Sequence, residues 1–213
     1  MKYKLVIFDW DGTLMDSVGR IVSSMQSAAR LSGVGEPNEP QVKNIIGLSL
    51  AHAIDTLFPQ SHQAVQQSIF GHYKDQYVNH DQTPAPLFDG AVQLLSDLKL
   101  SGYKLAVATG KGRQGLERVW MTSQTGGFFD SSRCADEAKS KPSPDMLEQL
   151  LKEMRLDVNE AVMIGDSEFD MAMAKAINMD RIGVSYGVHS RERLLTQTPL
   201  TVVDQISELR KWI

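Results

Sequence analysis

Leu5-Val6-Ile7-Phe8-Asp9-Trp10-Asp11-Gly12-Thr13 is the stretch on which the fold turns. Its four consecutive apolar residues do not alternate with polar ones, the pattern of a strand buried on both faces. Such strands belong to parallel sheets covered by helices on each side, and ligands bind outside their carboxyl ends. Asp9 and Asp11 stand at that end. The same kind of run recurs at Leu105-Ala106-Val107-Ala108, ending in Thr109, and at Val162-Met163-Ile164, closed two residues later by Asp166. Further runs occur at Ile182-Gly183-Val184 and Val202-Val203.

Between the runs lie apolar faces at helical spacing: Val92, Leu94, Leu95 and Leu98; Met146, Leu147, Leu150, Leu151 and Met154; and Ile206, Leu209 and Ile213. The second of these is expected to begin with Ser143 as N-cap and Pro144 as its first helical residue. Alternating strands and helices imply a parallel sheet with right-handed crossovers, an α/β Rossmann-like core. Residues 15–85 break the rhythm. They show helical periodicity at Ile21, Val22, Met25, Ala28 and Ala29, punctuated by Gly33, Gly35, Pro37 and Pro40, with Pro84 and Pro86 marking the return. The expected organisation is a catalytic core of residues 1–14 and 86–213, with a small helical cap, 15–85, inserted after the first strand.

Composition excludes several classes. The 213 residues are 42% hydrophobic and 23% charged, an ordinary globular balance. Twenty-two basic against 26 acidic residues leave a net charge of −4, no footprint for nucleic acid or an anionic membrane. The apolar run near the N-terminus is too short for a signal-peptide core, and no run approaches spanning length. Cys134 is the single cysteine, which rules out an internal disulfide and a cysteine-based zinc site. These features point to a cytoplasmic protein; the expected partner is a small metabolite, bound by a monomer or homodimer.

If the strands are neighbours, Asp9, Asp11, Asp166, Asp170 and Thr109 converge on one sheet edge. Two carboxylates ~4 Å apart repel by about 4 kcal/mol at an effective dielectric of ~20, so the cluster calls for cations. Oxygen-only donors favour a hard divalent ion, Mg²⁺, over zinc or copper. His52, His62, His72, His80 and His189 are scattered and read as solvated or internally satisfied groups.

The string from Phe8 to Ser17 resembles the first motif of the haloacid-dehalogenase-like hydrolase superfamily. Thr109 resembles its second motif, Lys141 in Lys141-Pro142-Ser143-Pro144-Asp145 its third, and Gly165-Asp166-Ser167-Glu168-Phe169-Asp170 its fourth. Ala108-Thr109-Gly110-Lys111 and Gly183-Val184-Ser185-Tyr186-Gly187 make the chain most similar to phosphoglycolate-phosphatase-like members with a helical cap. The resemblance implies a Mg²⁺-dependent phosphatase in which Asp9 is the nucleophile and Asp11 the general acid and base. Mg²⁺ would be held by Asp9, Asp166 and the backbone carbonyl of Asp11, with Asp170 in support. Gly12, Thr109, Gly110 and Lys141 would bind phosphate.

Lys139 competes with Lys141, whose Pro-flanked register favours it. Thr13 and Asp16 read as loop supports, and Lys111 and Arg113 as solvated. Asn178 departs from the glycine common in relatives. A cap over the sheet edge suits a small organophosphate, 2-phosphoglycolate or a sugar phosphate, and the inter-helix loop Gly47, Leu48 and Ser49 is the expected cap contribution. The alternatives are a phosphosugar mutase of the same superfamily and a non-catalytic signalling domain phosphorylated on Asp. Gly110-Lys111-Gly112-Arg113-Gln114-Gly115 formally matches a dinucleotide fingerprint, but Asp130 precedes the next strand instead of ending it, and the carboxylates would stay unexplained.

Overall fold

The computed structural model describes residues 2–213. Six parallel strands form one sheet: β1 (Leu5–Phe8), β2 (Lys104–Ala108), β3 (Ser131–Arg133), β4 (Ala161–Gly165), β5 (Asp180–Val184) and β6 (Thr201–Val203), in the order β3-β2-β1-β4-β5-β6. This is the doubly wound order, whose topological switch lies between β1 and β4. Phe8 pairs with Val107 on one side and Ile164 on the other, so Asp9, Thr109 and Asp166 leave the sheet at nearly one level.

The unbroken apolar runs are explained by the pleat, which sends alternate residues to opposite faces. Val6, Phe8, Val107 and Ile164 pack with Leu94, Leu95 and Leu98 of α5 (Ala91–Leu100). Leu5, Ile7, Ala106 and Met163 pack with Met146, Leu147 and Leu150 of α7 (Asp145–Met154). Both faces are therefore dry. α6 (Arg113–Ser123), α8 (Glu168–Ala176) and α9 (Arg191–Leu195) complete the helical layers.

The chain leaves β1 for α1 (Val18–Leu31), α2 (Glu39–Lys43), α3 (Leu50–Leu57), α4 (Gln63–Asp75) and a π-helical turn, Gln76–His80. These helices have their own apolar cluster, including Ile21, Val22, Met25, Ile54 and Ile69. The outgoing and returning chains run side by side: Met15 pairs with Leu87, and the Asp16 N–H donates to the Pro86 carbonyl at 2.8 Å. Among the described residues no helix is long and apolar enough to cross a membrane.

Three local expectations need correction. α7 begins at Asp145 with Pro144 as its N-cap, one residue later than expected, and the Ser143 hydroxyl lies 3.5 Å from the Asp145 N–H. Val92 is 46% exposed, the buried stripe of α5 starting from Ala91 instead. The C-terminal segment Ile206–Lys211 is a 3₁₀ helix, whose three-residue turn brings Ile206 and Leu209 onto one buried face. Asn178 has φ 56°, the left-handed conformation for which glycine is the usual choice and asparagine a tolerated one.

Trp10, fully buried, meets Trp120 and Phe129 edge-on at 6.5 and 6.1 Å between ring centroids. Trp10→Ala is expected to cost about 3–5 kcal/mol in urea unfolding. A loss under about 1 kcal/mol would mean that this loop is not anchored by its indole.

Candidate active site

The carboxyl ends of β1 and β4 bring three buried carboxylates together. One oxygen each from Asp9, Asp166 and Asp170 lies within 4.8 Å of the others. Lys141 stands among them with no exposed side-chain surface, its Nζ 2.8 Å from Asp9 Oδ1 and 2.6 Å from Asp170 Oδ1. Burial opposes the lysine's charge, yet Asp170 and Asp9 outweigh it and raise its pKa. Lys141 is the lysine the fold carries into this cluster, while Lys139 is exposed.

Each carboxylate is fixed by its surroundings. Asp170 Oδ2 accepts from the Ser167 N–H at 3.0 Å and the Ser167 hydroxyl at 2.6 Å, part of the capping box that starts α8. Asp166 accepts from the Thr13 hydroxyl and from the Val188 N–H, both at 2.8 Å. Gly12, at φ +82°, lies against it so closely that a Cβ there would fall 2.1 Å from Asp166 Oδ2. Gly187 does the same from the other side, at 2.2 Å from Asp166 Cβ.

Burial and the neighbouring carboxylates push Asp9 well above the usual carboxylate range, and burial with Asp170 pushes Asp166 to about 7. Three carboxylates share one ammonium, and although Asp9 Oδ1 is close to Lys141 Nζ, no donor is aligned on it as a hydrogen bond. A buried acceptor of this kind, in an all-oxygen set with surplus negative charge, fits a hard divalent cation.

Asp11 faces elsewhere. Its Oδ1 accepts from the Ser17 hydroxyl at 2.6 Å and meets Lys111 Nζ at 3.1 Å, so its carboxylate stands apart from the other three. Gly12 donates its N–H to the Met15 carbonyl at 2.9 Å. Its contribution is the missing side chain beside Asp166. Thr109 is buried, with its hydroxyl oxygen accepting from the Lys111 N–H at 3.2 Å.

A cavity of about 910 Å³ opens above this edge, lined by Asp9, Asp11, Thr109 and Gly110 from the core and by Gly47, Leu48, Ser49, Tyr73 and Tyr77 from the inserted helices. The loop of Gly47, Leu48 and Ser49 touches the core. A Cβ on Gly110 would fall 2.4 Å from the Leu48 carbonyl oxygen, and one on Gly47 would fall 2.8 Å from Ser167 Oγ. The Ser49 N–H donates to Ser140 Oγ at 2.9 Å.

Sequence reasoning missed Lys111, which is not solvated: its side chain is 11% exposed and its Nζ lies 4.9 Å from the centre of the Tyr77 ring. The available signal was Gly115, one turn along α6. Arg113 pairs with Glu137 and donates to Ser132 Oγ, a structural role. His189 is buried, its Nδ1 accepting from the Glu168 N–H at 2.9 Å. Asp130 lies at the opposite end of the sheet, accepting from Lys99 and the Leu105 N–H, so the formal dinucleotide fingerprint lacks its acidic partner.

The family model for haloacid dehalogenase-like hydrolases matches residues 6–184. A protein of Dickeya dadantii named "Probable phosphatase IndB" is 32% identical over 96% of this chain and 91% of its own. The pyrophosphatase PpaX of Bacillus anthracis is 28% identical over 98% of this chain and 95% of its own. Among solved structures, one from Lactobacillus delbrueckii subsp. bulgaricus, described as a "putative phosphoglycolate phosphatase", superposes with a TM-score of 0.87 at 26% identity, covering 100% of this chain and 99% of that one.

Lys141→Met would leave the buried carboxylates without their ammonium, and removing one member of a buried ion pair costs about 3–5 kcal/mol. Urea unfolding in excess chelator should show a loss of that size. Unchanged stability would mean that Lys141 does not hold the cluster together.

Proposed function

The chain belongs to the haloacid dehalogenase-like hydrolases and is a phosphatase; we propose that it hydrolyses a small organic phosphate monoester through an aspartyl-phosphate on Asp9, with 2-phosphoglycolate the leading substrate. The observation that supports this most directly is Asp9 itself: a carboxylate at the cavity floor whose Oδ1 has no aligned donor, set 2.8 Å from the ammonium of Lys141. In this reading residues 15–85 are the cap and the remainder is the catalytic core, in a cytoplasmic monomer or homodimer.

In the first half-reaction Asp9 attacks phosphorus, the ester P–O bond breaks, and Asp11 gives its proton to the departing oxygen. In the second, Asp11 takes a proton from water as the water oxygen attacks phosphorus. The Asp9–phosphorus bond breaks, releasing inorganic phosphate, restoring the Asp9 carboxylate and leaving Asp11 protonated for the next turnover. Lys141, the Thr109 hydroxyl and the Gly110 backbone N–H would hold the transferring oxygens. Asp9, Asp166 and the Asp11 carbonyl would hold Mg²⁺, with Asp170 fixing Lys141 and the α8 cap beside them. Such an ion, when bound, offsets the repulsion between a carboxylate nucleophile and a phosphate dianion. The loop of Gly47, Leu48 and Ser49 closes the cavity toward the core and excludes water from the ester.

Activity should be lost in excess chelator and return on adding Mg²⁺. Full turnover of phosphate esters in chelator would contradict the reading. Asp9→Asn should lower kcat by roughly 1,000-fold or more while the chain stays folded, because an amide cannot attack phosphorus. Asp11→Asn should lower it by about 10²–10⁴-fold. If Asp9→Asn kept a tenth of the wild-type rate, the nucleophile would be another group.

A further inference from the structure

Two buried lysines stand at the sheet edge, and they differ in what they face. Lys141 is closed in by Asp9 and Asp170 and does not line the cavity. Lys111 lines it, and among the described residues has a single carboxylate within 4 Å, that of Asp11. Its stem lies across the first turn of α6 at the position of Gly115, where a Cβ would fall 2.8 Å from Lys111 Cγ and 3.3 Å from Cδ. Its outer side is covered by the Tyr77 ring. An ammonium carries three donors. Asp11 takes one and the ring face shields another, which leaves capacity directed at a ligand.

The position of that capacity relative to the reaction follows from Asp11. Ser17 and Lys111 both use Oδ1, leaving Oδ2 for the ester oxygen. A general acid must come within about 2.6–3.2 Å of the oxygen it protonates, and with ~2.2 Å between the two carboxylate oxygens Lys111 Nζ lies at most roughly 8.5 Å from the ester oxygen. A charged group joined to that oxygen through one or two bonds extends across part of that gap toward Lys111. Arg118, one turn beyond Gly115 on α6, lines the same wall and adds positive charge.

We propose that Lys111, seated by Gly115 and covered by Tyr77, recognises a second anionic group on the leaving half of the substrate. The substrate class is then a phosphate ester or anhydride whose leaving group carries a carboxylate or phosphoryl group next to the departing oxygen. This rests on the reading above, in which Asp11 protonates that oxygen.

The test compares three probes in Mg²⁺: 2-phosphoglycolate, inorganic pyrophosphate and the neutral isostere 2-hydroxyethyl phosphate. The quantity read is the ratio of kcat/KM for the better anionic probe to that for the neutral one. Which anionic probe leads separates a carboxylate from a phosphoryl group. Wild type should favour an anionic probe by tenfold or more, mainly through KM. Lys111→Met should cut the ratio at least tenfold, Gly115→Ala should move it the same way, and Lys111→Arg should retain most of it. A wild-type ratio below ten, or a ratio that Lys111→Met changes less than tenfold, overturns the inference, since a lysine acting only through Asp11 would slow all three probes alike. Turnover of para-nitrophenyl phosphate, lost in Asp9→Asn, tests the underlying reading separately. An enzyme that passes this control yet takes none of the three probes also overturns the inference.

Discussion

The pairing of Lys141 with Asp9 and Asp170 is the contact on which the rest of the sheet edge depends. Three carboxylates brought this close in a dry interior would repel one another by several kcal/mol, at about 4 kcal/mol per pair for ~4 Å and an effective dielectric of ~20. The ammonium offsets part of that and leaves a deficit of positive charge. The sheet order creates the problem, since β1 and β4 are neighbours and both end in aspartate. The segment between β3 and α7 answers it by carrying Lys141 inward while Lys139, two residues earlier, stays in solvent.

Positive charge alone would not give the carboxylates a defined direction. Hydrogen bonds from Thr13, Ser167 and Val188 supply part of it, and the absence of side chains supplies the rest. Gly12 and Gly187 clasp Asp166 at distances where any Cβ would collide with it, and a Cβ on Gly165 would fall 2.4 Å from Asp170 Cβ. The acidic residues are thus held by backbone on several sides. This explains why glycine recurs around the aspartates more than any loop conformation would require.

The sheet and the positions of Asp9, Thr109 and Asp166 were legible because continuous apolar runs have few alternatives and these residues follow three of them, with Asp170 one helical turn beyond Asp166. Lys141 was legible through its Pro-flanked register. Lys111 was not, because a lysine after a strand end near glycines reads as solvated unless the fold brings a ring and a carboxylate to it. Tyr77 does so from a distant part of the sequence. The Gly12 N–H donating to Met15 is a local turn contact that motif spacing does not reveal. Helix ends were off by a residue or changed type where the pattern was short, as at Pro144 and Ile206.

The inserted helices meet the core through contacts separable from those that hold the carboxylates. Gly47 lies on Ser167 Oγ, Leu48 on Gly110, the Ser49 N–H reaches Ser140, and Asn44 accepts from Arg193 at 2.6 Å, which also pairs with Glu168. Separating the two parts would break these contacts and leave Thr13, Val188, Lys141 and the Ser167 capping box in place, because all of those lie within the core. Charge geometry at the aspartates is therefore a property of the sheet edge alone. The cavity wall is shared, with Tyr73 and Tyr77 on one side and Lys111 on the other. Lys111 is the point where the two meet, since its charge contacts the core through Asp11 and its exposed face is covered from the inserted helices. A change at Tyr77 would alter the surroundings of Lys111 without touching any of the three clustered carboxylates, so the cavity wall can vary across this boundary while the carboxylate cluster beneath it stays fixed.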